Sequence, residues 1–302
     1  MAAPQKLGPL ATLVKRQTAF VDSAGVKDPA GNGINLTLLN GKYYTPHGPV
    51  HLGNVKLVQM RPDDILVCGY VKTGCHWIWE TVNMIMKRKG EYTNYLKVIA
   101  FLEMAAPELY DALPSPRILN THNEYEELPD QAKAMKTKIV LTTRNPKDTA
   151  VSLYNHHMNL KEVYNYDGQF SDWFQLFLNG TVDNGSYFDY HVAWEKAMNE
   201  HPDHPILLVK YEEMKKDTRA GVRRIANFLG VPLTDDQVAE IARAAEFGSM
   251  KRKFHNQPTE KLIRKGEVGD WRNWLSDEQA KKLDNLSKQY LRGTRFEPID
   301  SI

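Results

Sequence analysis

The chain has 302 residues, and 39 lysines and arginines stand against 37 aspartates and glutamates, a formal net charge of +2. That balance excludes a global basic field of the kind nucleic acid or a membrane surface attracts, and leaves only a local basic pocket open. Two cysteines, Cys68 and Cys75, exclude a disulfide framework and do not have zinc-site spacing, which points to a reduced, cytoplasmic protein. The opening segment MAAPQKLGPLATLVKRQTAF has neither a bilayer-length apolar run nor a continuous apolar stretch before a cleavage site, so neither membrane attachment nor secretion is expected.

In chain order, the first 60 or so residues read as irregular, with turn signals at Asp28-Pro-Ala-Gly-Asn-Gly and Pro46-His-Gly-Pro. Residues 1–45 are expected to be a lead-in wrapped on a core of about 45–296, within one domain covering 1–302. Tyr43 and Tyr44 are expected to pack there. Ile65-Leu-Val-Cys-Gly-Tyr is a short apolar strand ending at Gly69 and Tyr70. A helical pattern follows, with Trp77, Thr81, Ile85 and Ile78, Val82, Met86 in adjacent rows. Arg117-Ile-Leu-Asn-Thr-His is a second strand and Ile139-Val-Leu-Thr-Thr a third, the latter running into Arg144 and a helix that Asn145 caps and Pro146 begins. Ile206-Leu-Leu-Val-Lys-Tyr is a fourth strand. Capping boxes at Thr234-x-x-Gln237 and Ser276-x-x-Gln279 start two later helices, and the basic stretch from Lys251 to Gly266 reads as a long loop.

Short apolar strands alternating with helices predict an α/β fold, a central parallel sheet covered by helices on both faces. Ligands of such sheets bind beyond the carboxyl ends of the strands. The residues falling there are Lys72, His122, Arg144 and Tyr211. Around Lys72, Gly69-Tyr-Val-Lys-Thr-Gly-Cys-His-Trp is a strand–turn–helix, and amides at a helix start make an anion site. It is not a Walker A loop, because Lys72 precedes Gly74 and no Lys-Ser/Thr pair follows, which argues against a nucleotide kinase. Arg144 carries the planar fork of donors that suits phosphate. Arg264, Lys265 and Gly266 combine two cations with a glycine that lets backbone approach an anion. Taken alone, a histidine at a strand end, as His122 is, reads as hydrogen-bonded structure. The adjacent His156 and His157 diverge on a helix, and no residues have metal-ligand spacing.

These segments resemble the cytosolic sulfotransferases. Tyr70-Val-Lys-Thr-Gly-Cys-His-Trp is similar to the family's phosphosulfate loop, Y-P-K-S-G-T-T-W. Arg144-Asn-Pro-Lys-Asp-Thr-Ala-Val-Ser152 is similar to R-N-x-K-D-x-x-V-S, and Arg264-Lys-Gly-Glu-Val-Gly-Asp-Trp to R-K-G-x-x-G-D-W. The resemblance runs from about residue 45 to 296. It implies transfer of a sulfuryl group from 3'-phosphoadenosine-5'-phosphosulfate (PAPS), leaving 3'-phosphoadenosine-5'-phosphate (PAP), to a hydroxyl or amine of a small apolar acceptor, without a metal. It implies His122 as general base and Lys72 as support for the leaving group. Lys72, Thr73, Gly74, Cys75 and His76 would hold the phosphosulfate end, while Arg144, Ser152, Arg264, Lys265 and Gly266 would hold the 3'-phosphate, with Ser152 counted beside His122 and Lys72 among the catalytic residues. Trp77 and Phe247 would sandwich the adenine, with Tyr211 near the nucleoside. Acceptor walls are expected at Phe101, Met104, Met158, Tyr164 and around Phe254.

The sequence departs from the family pattern in four places. Val71 replaces a proline, and Cys75 and His76 replace two threonines. Asn120 stands where the family's K-T-H has a lysine, which predicts a slower chemical step. The family's dimer motif, K-x-x-x-T-V-x-x-x-E, falls on Arg272–Lys281, where Ser276, Asp277 and Lys281 break it. The protein is therefore expected to be a monomer or a different dimer. Two other readings stay open: a non-catalytic nucleotide binder, and a dehydration through a transient sulfate ester.

Overall fold

A computed structural model describes residues 23–46 and 49–299. The N-terminal residues on which the no-leader reading rests, and His47 and Gly48 of the second turn signal, lie outside the described residues.

Four strands form the central sheet: β4 (Ile65–Gly69), β5 (Ile118–Thr121), β6 (Lys138–Thr143) and β7 (Ile206–Lys210). All pair in parallel, in the order β5-β4-β6-β7. Each strand sits where its apolar run does, because helices cover both faces and no polar alternation is required. Leu66, Val67, Leu119, Val140 and Leu141 are fully buried, and each such side chain contributes roughly 1.5–3 kcal/mol on leaving water.

The register aligns the strand ends. Gly69 lies opposite Thr142, Cys68 opposite Thr121, and Thr143 opposite Lys210. The residues that follow, Tyr70, His122, Arg144 and Tyr211, therefore emerge along one edge. The chain leaves β4 for β5 on one side and returns to β6 on the other, so the order reverses beside β4. A crevice opens at such a reversal.

The expectation of an irregular lead-in needs correcting. Residues 23–44 form a separate antiparallel sheet of β1 (Ser23–Lys27), β2 (Gly33–Leu39) and β3 (Lys42–Tyr44). The Asp28 turn signal is the first hairpin, closed by the Asn32 amide donating to Asp28 Oδ1 at 2.8 Å. The second hairpin turns on Asn40 and Gly41, both at positive φ (52° and 79°), the pairing that tight hairpin turns favour. In β2, Ile34 and Leu36 share the buried face, as residues two apart on a strand do, but the pattern breaks after Leu36, where Thr37 is buried and Leu38 exposed. The Tyr166 hydroxyl donates to Asp28 Oδ2 at 2.6 Å and the Asn184 amide to the Tyr43 carbonyl at 2.8 Å, which tie this sheet to the rest.

The helices begin where their caps predict. Asn145 accepts from the Lys147 amide ahead of the Pro146–Asn159 helix, and both capping boxes form, before Asp235–Ala245 and Asp277–Tyr290. The basic stretch after Lys251 is less of a loop than expected. Lys251–Lys253 close the Phe247–Lys253 helix, where cations suit the negative helix end. A 3₁₀ turn follows at Pro258–Leu262.

Candidate active site

The loop after β4 is shaped by backbone. Lys72 and Gly74 both take positive φ, 65° and 102°, and the turn closes as the Thr73 amide donates to the Tyr70 carbonyl at 3.3 Å. A Cβ at Gly74 would lie 2.9 Å from the Tyr211 ring. The helix Cys75–Lys87 starts at Gly74 with no side-chain cap, so its first amides are left for an anion. Lys72 joins them. Burial, with Arg144 second, lowers its ammonium to about 8.

Not every loop side chain turns toward this site. The Thr73 hydroxyl donates to the Tyr70 carbonyl at 2.7 Å and meets Thr142 Oγ1 at 2.9 Å, inside the core. Cys75 is buried with its sulfur 3.2 Å from Thr142 Oγ1. Thr73 thus offers the site backbone rather than side chain, whereas the Cys75 sulfur also lies 3.9 Å from His122 Nδ1.

At the end of β6, Arg144 is buried and its guanidinium lies 4.2 Å over the Tyr211 ring. Nη2 donates to the Glu267 carbonyl at 2.8 Å, and Nε is buried with no partner among the described residues. Ser152 is half-buried two turns into the following helix. From the same helix, Asp148 reaches the 264–271 segment, accepting from the Gly269 amide at 2.7 Å and the Trp271 amide at 3.1 Å. The Arg144–Ser152 and Arg264–Trp271 segments are thus clamped together. Arg264 and Lys265 both pair with Asp270, at 2.5 and 2.7 Å. Burial alone would raise this carboxyl, but its bonds to Lys265, Asn273 and Arg264 hold it well below the usual carboxylate range. The pairs order the two cations in advance, so a ligand need not do so.

Tyr211 also meets Trp77 edge-on, with centroids 5.2 Å apart. Trp77 donates through Nε1 to the Ala245 carbonyl at 2.8 Å. Trp77 and Phe247 line one cavity of about 500 Å³ together with Lys215, Thr218, Arg219 and Glu246. Gly266 takes a positive φ of 66° under the Phe247 ring, where a Cβ would come within 2.2 Å.

His122 follows β5. Its Nδ1 lies 2.6 Å from the Gly69 carbonyl. A carbonyl only accepts, so Nδ1 carries the proton and Nε2 is the bare nitrogen of the neutral ring. Burial, then the charge of Lys97, lowers its pKa to about 3, so the ring is neutral at ordinary pH. Its amide donates to Glu103 Oε1 at 2.6 Å, and Thr121 donates to the same oxygen at 2.7 Å. Burial raises the Glu103 carboxyl to about 7.

Two aromatic rings flank the histidines. Phe101 meets His122 edge-on at 4.9 Å, and Phe254 meets His76 at 5.3 Å. Both ring nitrogens of His76 are buried without partners among the described residues, and burial lowers it to about 3. Tyr164 packs on His156 at 5.6 Å, whose Nδ1 is likewise buried and unpartnered. Met158 is half-buried against the core, and Met104 is half-buried. Asn120 does not face this space with its amide, which donates to the Ala100 carbonyl at 2.8 Å and the Lys97 carbonyl at 3.3 Å. His157 is spent on Asp183 and Trp173, at 2.8 Å each. Among the described residues no group of histidine, cysteine or carboxylate side chains could hold a metal ion.

Sequence reasoning passed over three residues that belong here. Asp148 lies inside the R-N-x-K-D pattern, so its motif pointed to it. Lys97 and Glu103 lie in a stretch with no motif, and only the chain's return past β5 brings them to His122.

A sulfotransferase domain profile matches residues 62–295. Sulfotransferase 6B1 of Danio rerio is 35% identical over 255 residues, 82% of this chain and 85% of that protein. The Homo sapiens sulfotransferase 6B1 is 36% identical over 246 residues, 78% of each chain. Among solved structures, mouse sulfotransferase SULT7A1 complexed with PAP superposes with a TM-score of 0.74 at 29% identity, covering 85% of this chain and 95% of that one. A retinol dehydratase at 22% identity and a TM-score of 0.70 shares the fold. With the family profile spanning most of its length and the motif residues gathered on one sheet edge, the chain belongs to the sulfotransferase family, whose enzymes depend on PAPS.

Proposed function

We propose that this protein transfers the sulfuryl group of PAPS to a hydroxyl or amine of a small, largely apolar acceptor, of the phenol, alcohol, amine or sterol class. The observation that carries the reading is the contact between His122 Nδ1 and the Gly69 carbonyl, at 2.6 Å. It joins the base to the strand that feeds the phosphate loop and leaves Nε2 as the proton acceptor. The donor's 5' end lies on Lys72 and the first amides of the Cys75–Lys87 helix. Its adenine fits the cavity between Trp77 and Phe247, stacking as purines do on aromatic faces. Arg144, Ser152 and the Arg264–Gly266 segment take the 3'-phosphate. Phe101, Phe254 and Tyr164 wall the acceptor.

In the reaction the acceptor oxygen or nitrogen attacks sulfur opposite the bridging oxygen. Its proton passes to His122 Nε2. The bond from sulfur to the bridging oxygen breaks, and its electron pair stays on the PAP phosphate, where Lys72 offsets the new charge. Positioning and charge stabilisation supply most of the rate in such transfers. The two cysteines are free and buried, which supports a reduced, cytoplasmic setting.

Calorimetric titration with PAP and PAPS, beside ATP and AMP and without added metal, tests the assignment. Tight binding that depends on the 3'-phosphate is expected. A preference for ATP with magnesium, or no binding of PAP, would overturn it.

A further inference from the structure

Lys97 lies in a 3₁₀ turn, Lys97–Ala100, between the Cys75–Lys87 helix and β5. Its ammonium sits 4.9 Å over the Phe101 ring, the ring that stands edge-on to His122 at 4.9 Å. The turn is pinned to the sheet. Asn120 donates to the carbonyls of Lys97 and Ala100, and Phe101 bridges Asn120 in parallel. Among the described residues Lys97 makes no ion pair. The charges it feels are those of Cys75 and then Glu103, a carboxyl that burial raises to about 7. A half-buried cation without a counter-charge is costly to keep, and burial does lower its pKa.

The direction of its field narrows the role. His76 and His122 both feel Lys97 before they feel Lys72, and Lys72 feels it too. Its contact with Phe101, which stands edge-on to His122, and the holding of its turn by Asn120, two residues before His122, set Lys97 on the side of the base.

We propose that Lys97 is a second catalytic cation, its ammonium meeting the oxygens of the sulfuryl group while that group moves from donor to acceptor. This rests on the donor assignment above. As the acceptor–sulfur bond forms and the sulfur–oxygen bond to PAP breaks, the sulfuryl oxygens keep their negative charge. Lys97 offsets it, Lys72 takes the charge on the leaving phosphate, and the acceptor proton goes to His122. Asn120 is the positioning residue, since its amide holds the turn that carries the ammonium. The missing lysine at position 120 thus leaves the site with a cation that arrives from a different element.

The test compares Lys97→Met, which keeps the contact with Phe101, and Lys97→Arg, which keeps the charge. PAPS and PAP affinities are read by calorimetry, and turnover is read with 2-naphthol as acceptor. Lys97→Met should lose about 100-fold in turnover and bind PAPS more weakly relative to PAP than the wild type does, with PAP affinity and melting temperature unchanged. Lys97→Arg should stay within about tenfold of wild type. A Met variant that keeps both the wild-type ratio of PAPS to PAP affinity and the rate overturns the inference. So does one that loses PAP and PAPS affinity by the same factor, because that marks a general field or a structural role. If 2-naphthol is not sulfated by the wild type, the PAPS-against-PAP comparison decides alone. A wild type that binds neither nucleotide defeats the donor assignment, and this inference with it.

Discussion

His122 and Lys72 show how the same burial does opposite work on two bases. Both are desolvated, and desolvation favours the neutral form of each. For His122 the result is a ring neutral well below physiological pH, with its pKa lowered to about 3. For Lys72 the result is an ammonium near its titration point, at about 8. Only the protonated lysine helps an anionic donor, and it is protonated below that value. PAP affinity and kcat/KM for PAPS, both of which report the free enzyme, should therefore fall as pH rises through about 8. No acid limb from the base should appear between pH 5 and 7. An acid limb centred near 6.5 in kcat/KM would show that His122 titrates as an exposed imidazole and that the buried arrangement is not the working one. At this scale the motif named the residues but not their state. Thr73 and Cys75 match the loop pattern, yet their side chains face Thr142 in the core. Which way a loop side chain turns depends on what the neighbouring strand places beneath it.

The 264–271 segment has little regular structure beyond a 3₁₀ turn at Asp270–Asn273, and Asp148 gives it a position. That carboxylate is buried and satisfies two amides of the segment. Replacing it by alanine removes both charge-assisted bonds and leaves two donors unmet, a cost of roughly 3 kcal/mol. Asp148→Ala should lower the unfolding free energy by about that amount in denaturant titration and weaken PAP binding, with Asp148→Asn in between. A stable variant with wild-type PAP affinity would show that the segment holds its place without the clamp. Elements differed in how plainly they could be read. The four parallel strands are continuous apolar runs and the capping boxes are local, so each was legible residue by residue. The antiparallel β1–β3 sheet was not recognised, although Asn40-Gly41 between alternating residues is a local hairpin signal. Its flanking strands, SAGVK and KYY, are short and carry little apolar signal, and the apolar β2 between them was passed over beside the turn residues that bound it.

At the scale of the whole molecule, the segment that matches the family's dimer motif is occupied in another way. Ser276 caps the Asp277–Tyr290 helix, accepting from the Gln279 amide, and Asp277 sits in its first turn, where an acidic side chain suits the helix end. A charged residue there is poorly suited to an apolar interface core. Sedimentation equilibrium should find a species of 34.6 kDa, or a dimer unaffected by Asp277→Val with Lys281→Glu. A dimer that this double variant tightens would instead show the motif still at work. The sequence by itself determined the parallel sheet, the glycine turn after β4, the histidine after β5 and the basic segment, because each is written in neighbouring residues: apolar runs, caps, a glycine turn, adjacent cations. Only the tertiary structure decided what those parts meet. The return of the chain past β5 sets Lys97 and Glu103 beside His122, the strand register brings Arg144 over Tyr211, and Asp148 crosses 121 residues to Gly269. Such contacts depend on the path of the chain through space, and local sequence preferences carry no record of it.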